Sequence, residues 1–253
     1  MHERTAAGVA GISLALILMG AGCGLNTARQ DRPSSSLSVE DILERCSATY
    51  SRSPTLQVRG LLRDYRGAKR KVLPIRWDYA RPDRCRLQIG MDLALIVGQH
   101  WWSYDHLSGR FKAPRQITTT PIQTAAYFLS DGIPFLLPDV LTRGRRAFEA
   151  HDDRRRSRWR LEGVAWIADR PCYAIRREGQ GRDRGRRWTV WIDQDRFLIR
   201  GWSWERTGPD GRMRTVLGCT YFEVVANRPM PPERFAVREP QPIVLPRKAA
   251  PGG

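Results

Sequence analysis

The sequence predicts a mainly β chain with a few helices, an α+β domain dominated by one-sided antiparallel strands. Three observations predict it. Apolar and polar residues alternate with period two over many short runs, polar turns separate those runs, and one stretch repeats at helical spacing before the first of them.

That helical stretch opens at Leu37. Ser38-Val-Glu-Asp41 places a hydroxyl and a carboxylate three residues apart, so each satisfies a first-turn amide of the other, with Leu37 and Ile42 spaced as a hydrophobic staple. Val39, Ile42, Leu43, Cys46 and Tyr50 then share one helical face.

From Leu56 the period becomes two. Leu56, Val58, Gly60 and Leu62 alternate with Gln57, Arg59, Leu61 and Arg63; Leu73, Ile75, Trp77 and Tyr79 alternate with Val72, Pro74, Arg76 and Asp78. Cys85, Leu87, Ile89 and Met91 do so against Arg84, Arg86 and Gln88. These are strands with one apolar and one solvated face. Leu93–Val97 and Trp101–Tyr104 flank Gly98-Gln-His, a hairpin turn. The alternation stops after Pro114, where Gln123–Leu129 and Phe135–Leu141 read as short apolar helices bounded by Pro and Gly. Strands resume at Trp159–Trp166, Pro171–Arg177, Trp188–Asp193, Phe197–Arg206 and Met213–Val225, the last pairs joined by turns at Asp193-Gln-Asp195 and Gly208-Pro-Asp-Gly211. Ten or eleven strands with such spacing imply a sandwich or barrel-like sheet.

The chain has 253 residues, 41% hydrophobic and 27% charged, which fits one medium-sized globular domain. The net charge of +17 would point to nucleic acid in a cytoplasmic protein. Export argues against nucleic acid and turns the same field toward anionic lipid surfaces. The charge is carried almost wholly by Arg, with Lys only at Lys69, Lys71, Lys112 and Lys248, a bias that GC-rich coding produces without any partner.

The evidence for export is at the start. Residues 1–22 read as a signal peptide, an uncharged run from Thr5 to Gly22 too short and Gly-rich to be a stable span. It closes with Leu18-Met-Gly-Ala-Gly-Cys23, which resembles a lipobox, the site where a bacterial leader is removed and the new N-terminal Cys is acylated; Gly20 stands where that pattern prefers a larger aliphatic residue. Diacyl or triacyl modification of Cys23 would anchor the protein at the periplasmic face of an envelope membrane. Residues 23–36 are then the lipidated Cys and a flexible tether, 37–237 the β domain, and 238–253 a Pro-rich disordered tail. Of five Cys, lipidation of Cys23 leaves Cys46, Cys85, Cys172 and Cys219, which permit three disulfide connectivities and equally suit buried free thiols.

The order of these features resembles the LolA/LolB superfamily of bacterial lipoprotein carriers and receptors. The resemblance covers most of the mature chain. Its pieces are Arg81-Pro82 entering a strand, the hairpin from Leu93 to Asp105 and Thr120-Pro121 opening a helix, then Trp191-Ile-Asp193 with Leu198-Ile-Arg200, and Tyr221-Phe-Glu223 with Asn227-Arg-Pro229-Met-Pro231 and Phe235. It implies a curved, unclosed antiparallel half-barrel whose concave face is covered by helices and holds acyl chains. The anchor at Cys23 departs from the soluble carriers.

On that reading the apolar cavity would be lined by Val58, Leu62, Ile75, Trp77, Leu87 and Ile89, with Tyr127, Phe128 and Phe135 of the inserted helices as a lid. The same alternation also describes a plain packed core. The loop Arg182-Asp-Arg-Gly-Arg-Arg187 reads as a charged hairpin tip. No G-x-S-x-G, H-E-x-x-H or phosphate loop occurs, and the four His stand apart, so the expectation is a binder that needs no cofactor or metal and is not an enzyme. The expected partners are an acyl lipid or lipoprotein and the membrane itself, with no nucleic acid. Two other classes remain open: a regulatory envelope-sensing module acting on a protein partner, and a structural lipoprotein without ligand.

Overall fold

A computed structural model describes residues 37–67, 70–117, 140–141, 144–148, 158–179 and 184–244. Helix α1 (Val39–Arg52) precedes twelve strands: β1 (Thr55–Asp64), β2 (Lys71–Ala80), β3 (Arg84–Ile89), β4 (Asp92–Val97), β5 (His100–Asp105), β6 (Arg110–Phe111), β7 (Arg115–Gln116), β8 (Trp159–Ile167), β9 (Arg170–Glu178), β10 (Arg186–Asp193), β11 (Ile199–Thr207) and β12 (Met213–Ala226). Short 3-10 turns occupy Gly144–Phe148 and Pro232–Phe235.

The capping box forms as the sequence expects. Ser38 Oγ accepts from the Asp41 amide, and the Asp41 carboxylate accepts from both the Ser38 amide and its hydroxyl. Ser38→Ala should therefore lower stability by about 1 kcal/mol, read as the shift of a chemical denaturation midpoint; an unchanged midpoint would show that packing alone holds this end.

All strand pairs are antiparallel, in the order β6-β5-β4-β3-β2-β1-β12-β11-β10-β9-β8, with β7 also on β5. The sheet is curved and unclosed, an open half-barrel. The seam between β1 and β12 joins the first and last strands of the fold, and among the described residues it is the strand pairing that links the two halves of the sheet. The two-residue strands β6 and β7 were invisible in the sequence, since two residues show no period.

The inner face carries the core. Ile42, Leu43, Cys46 and Tyr50 of α1 join Val58, Trp77, Leu87 and Ile96 from one half and Ile175, Val190, Trp202 and Tyr221 from the other in a single buried cluster. Tyr50 Oη accepts from the Ile199 amide at 2.9 Å and so ties the end of α1 to β11.

The outer face differs between the halves. Across β8–β11 it carries the expected polar ladder toward one end, in which Arg176 bridges Glu162 and Arg187 bridges Glu178 and Glu205, while Cys172, Asp193 and Ser203 on the same side are buried. On β1–β4 the expectation of one apolar and one solvated face fails: Leu93 and Leu95 are fully buried, Gln88 is 1% exposed and Arg86 8%. The cover is the C-terminal segment. Arg86 donates to the Ala236 and Arg238 carbonyls and Gln88 to that of Gln241, while Arg234 reaches Asp78. Within residues 238–244, read in the sequence as the start of a disordered tail, the Arg238 and Gln241 carbonyls thus meet side chains of β3; residues 245–253 fall outside the described part. The physical reason is that two buried side-chain donors find their acceptors in Pro-rich backbone that cannot form a ladder of its own.

Candidate functional site

Cross-strand register sets the inner face in rows. Val58, Trp77, Leu87 and Ala94 are successive partners across β1–β4, and Gly60, Ile75 and Ile89 form the next row, with Leu62 opposite Leu73. The six sequence-picked lining residues of the sheet are therefore one contiguous apolar patch, each exposed by 4% or less. Their cover is α1 together with Val140, Leu141 and Phe148 of the insertion, all in the same cluster. Tyr127, Phe128 and Phe135, and Cys23, lie outside the described residues. Of the helix expected over Phe135–Leu141, only Val140 and Leu141 are described, and both are helical and buried.

Sequence reasoning missed the other half of this face. Trp202, Leu217, Cys219 and Tyr221 continue the patch across the seam, where Leu62 pairs with Cys219. The signal was present, since Leu217, Cys219 and Tyr221 alternate within a strand that was recognised, but its inward side was not assigned.

Two of the buried indoles find their acceptors within this face. Trp77 Nε1 donates to Cys85 Sγ at 3.0 Å and Trp202 Nε1 to Tyr221 Oη at 3.1 Å. Burial pushes the Cys85 and Cys219 thiols up to about 12 and carries Cys46 higher still, and it raises Tyr50 and Tyr221 well above the usual phenol range. Cys172, on the outer face, is likewise pushed up to about 12 by burial. These thiols and phenols are thus neutral, and the thiols are poor nucleophiles. The four described cysteines are free thiols, which settles the choice left open by their spacing. In a Cys23→Ser chain, Ellman's reagent at mildly alkaline pH should label none of the four in the folded protein and all four after denaturation. A thiol titrating rapidly in the native state would contradict the buried arrangement.

Toward one end of the sheet the inner face becomes a partly exposed Trp–Arg array. The Arg177 guanidinium lies 4.5 Å from the Trp188 ring centroid and 5.2 Å from that of Trp159, and Arg186 lies over Trp204. Beside it, between the tips of the β9–β10 and β11–β12 hairpins, a cleft of about 360 Å³ is lined by Glu178, Arg184, Arg186, Arg187, Thr207 and Met213. The charged tip read at Arg182–Arg187 is described from Arg184 onward.

No family model matches this sequence, and no curated protein does. Among solved structures, LolA superfamily protein NE2245 from Nitrosomonas europaea is similar at 13% identity and a TM-score of 0.33, over 79% of this chain and 97% of that one. LprF from Mycobacterium bovis is similar at 8% identity and a TM-score of 0.42, over 75% and 93%. MucB in the Pseudomonas aeruginosa MucA/MucB complex is similar at 14% identity and a TM-score of 0.44, over 81% of this chain and 63% of that one.

Proposed function

We propose that this chain is a lipid-anchored envelope protein that takes up acyl chains, free or carried by a lipoprotein, between the inner face of its sheet and the helical segments over it. One observation supports this reading above the others: an apolar face runs from β4 to β10, charged only toward the end that carries Arg177 and Arg186, and among the described residues helical segments rather than a second sheet cover it. Such a cover has fewer contacts to lose when it moves than a sandwiched sheet would. Uptake is then passive, driven by roughly 0.8 kcal/mol per buried methylene, and release needs a partner or membrane offering an equal environment. The neutral thiols and tyrosines suit storage rather than chemistry, which is why a binder is proposed and not an enzyme. Lipoprotein sorting is the process this chemistry would serve, with Cys23 holding the protein at the periplasmic side of a membrane.

The test uses the tryptophans already on the face. Brominated acyl chains quench tryptophan at contact range, so uptake beside Trp77 and Trp202 should give saturable quenching at a stoichiometry near one. Native mass spectrometry of protein taken from a bacterial envelope should show a bound acyl lipid. A clean apo mass together with no quenching would leave a packed scaffold.

A second reading, a module that acts on a protein partner, is favoured by Trp166. This residue is 64% exposed at the end of β8, which is a sheet edge among the described residues. Photocrosslinking from position 166 in the native envelope would give one stoichiometric protein adduct on that reading, and none otherwise.

A further inference from the structure

Antiparallel order brings five turns to one end of the sheet: those between β1 and β2, β3 and β4, β5 and β6, β9 and β10, and β11 and β12. Three of these tips present a large apolar side chain to solvent, Tyr65 at 36% exposure, Met91 at 44% and Leu107 at 87%. The acids on the same tips are held locally: Asp64 by Arg66, Asp92 by His106, Asp105 by the Leu107 amide and Asp210 by Arg214. Arg70, Arg184 and Arg212 add exposed positive charge beyond those pairs, in a chain of net charge +17. The arginine-lined cleft beside Arg184 opens at this same end.

We propose that this rim is a membrane-docking surface for a bilayer with anionic headgroups, with Met91 and Leu107 entering the interface and the arginines meeting lipid phosphate. The layout favours a membrane over a folded protein. The apolar side chains stand singly on separate turns along the edge of a curved sheet, where a fluid interface accepts each independently; a protein partner would call for a contiguous patch. The Trp–Arg array just inside the rim is of the kind that settles at headgroup depth. Contact of this sort is independent of the acyl anchor, and would turn the open end of the half-barrel toward the lipid it is proposed to exchange.

The full chain carrying Cys23→Ser is mixed with phosphatidylcholine vesicles, with and without phosphatidylglycerol, and sedimented. Binding is expected only with phosphatidylglycerol, falling as salt is added. Met91→Asp with Leu107→Asp should weaken partition by about tenfold or more, and Arg184→Gln and Arg212→Gln by about fivefold each. Trp166→Asp, at the opposite end, should change nothing, and the leader segment is common to every variant. These positions are exposed, so unchanged melting keeps folding out of the comparison. Equal binding by parent and rim variants, equal loss with Trp166→Asp, indifference to phosphatidylglycerol, or no binding by the parent would each overturn the proposal. Acyl-chain quenching in the same variants is expected to persist, which separates this surface from the inner face.

Discussion

Asp193→Ala is expected to cost about 3–5 kcal/mol of folding stability, measured as the loss in unfolding free energy by denaturant titration. The carboxylate is 1% exposed and does two jobs. One oxygen accepts from the Asp195 and Arg196 amides at 3.0 Å each and closes the turn between β10 and β11. The other accepts Nε and Nη2 of Arg200, at 3.0 and 2.9 Å. Truncation leaves the Arg200 guanidinium, whose side chain is 5% exposed, charged and buried without its counterion, and that orphaned charge is the larger part of the loss. Asp193→Asn, which keeps the amide acceptor and removes the charge, should fall between. Replacing both partners with apolar residues of similar volume should recover part of what the single truncation loses. A loss within 1 kcal/mol for Asp193→Ala would show that water reaches the site.

The same pair makes a pH prediction. Burial pushes the Asp193 carboxyl up, but the Arg196 amide, the Arg200 guanidinium and the Asp195 amide more than offset it and hold it below the ordinary carboxylate value. A group depressed in the folded state contributes stability that is present above its unfolded pKa and is lost as pH falls through its folded pKa. The wild-type chain should therefore lose stability into acid below the normal carboxylate range, with a shallower slope in Asp193→Asn.

Much of this fold was legible because it is local. The capping box at Ser38 and Asp41, the alternation in β1–β3 and the Gly98 turn, where Gly98 adopts φ 61°, each depend on residues a few positions apart. So does the choice of Val58, Trp77 and Leu87 as one face, since a strand's period fixes which side chains share a side. What covers a face is not local. Arg86 and Gln88 read as solvent-facing because a lone strand gives an Arg no acceptor, and their acceptors arrive about 150 positions later in the chain. Asp193 was legible as a turn residue, whereas its pairing with Arg200 depends on the buried side of that turn. The inner face shows the same division. Its β1–β3 residues share a side by alternation alone, while Cys219, Tyr221 and Trp202 join them only through the β1–β12 seam, a contact between the two ends of the domain.

That seam is where a single methyl group should have its largest effect. Gly60 sits on β1 where the register with β12 shifts between Arg59 and Gly60. A Cβ there would run into the Thr220 carbonyl oxygen and stand 2.8 Å from Tyr221 Cδ1. One obstacle is backbone and the other a ring that is 2% exposed and hydrogen-bonded to Trp202, so neither yields as a flexible side chain would. Gly60→Ala is expected to cost about 1–3 kcal/mol from overpacking alone, and Gly60→Val more, because its branched side chain meets the same two walls. The seam is also the one junction that makes the inner face continuous, so the damage should be optical as well as thermodynamic. Displacing Tyr221 would strip Trp202 Nε1 of its acceptor and open the ring to water, shifting tryptophan emission to the red before global unfolding. If Gly60→Ala melts and fluoresces as the parent does, β12 must slide at its bulge without disturbing Tyr221, and the two halves of the inner face would then be mechanically independent.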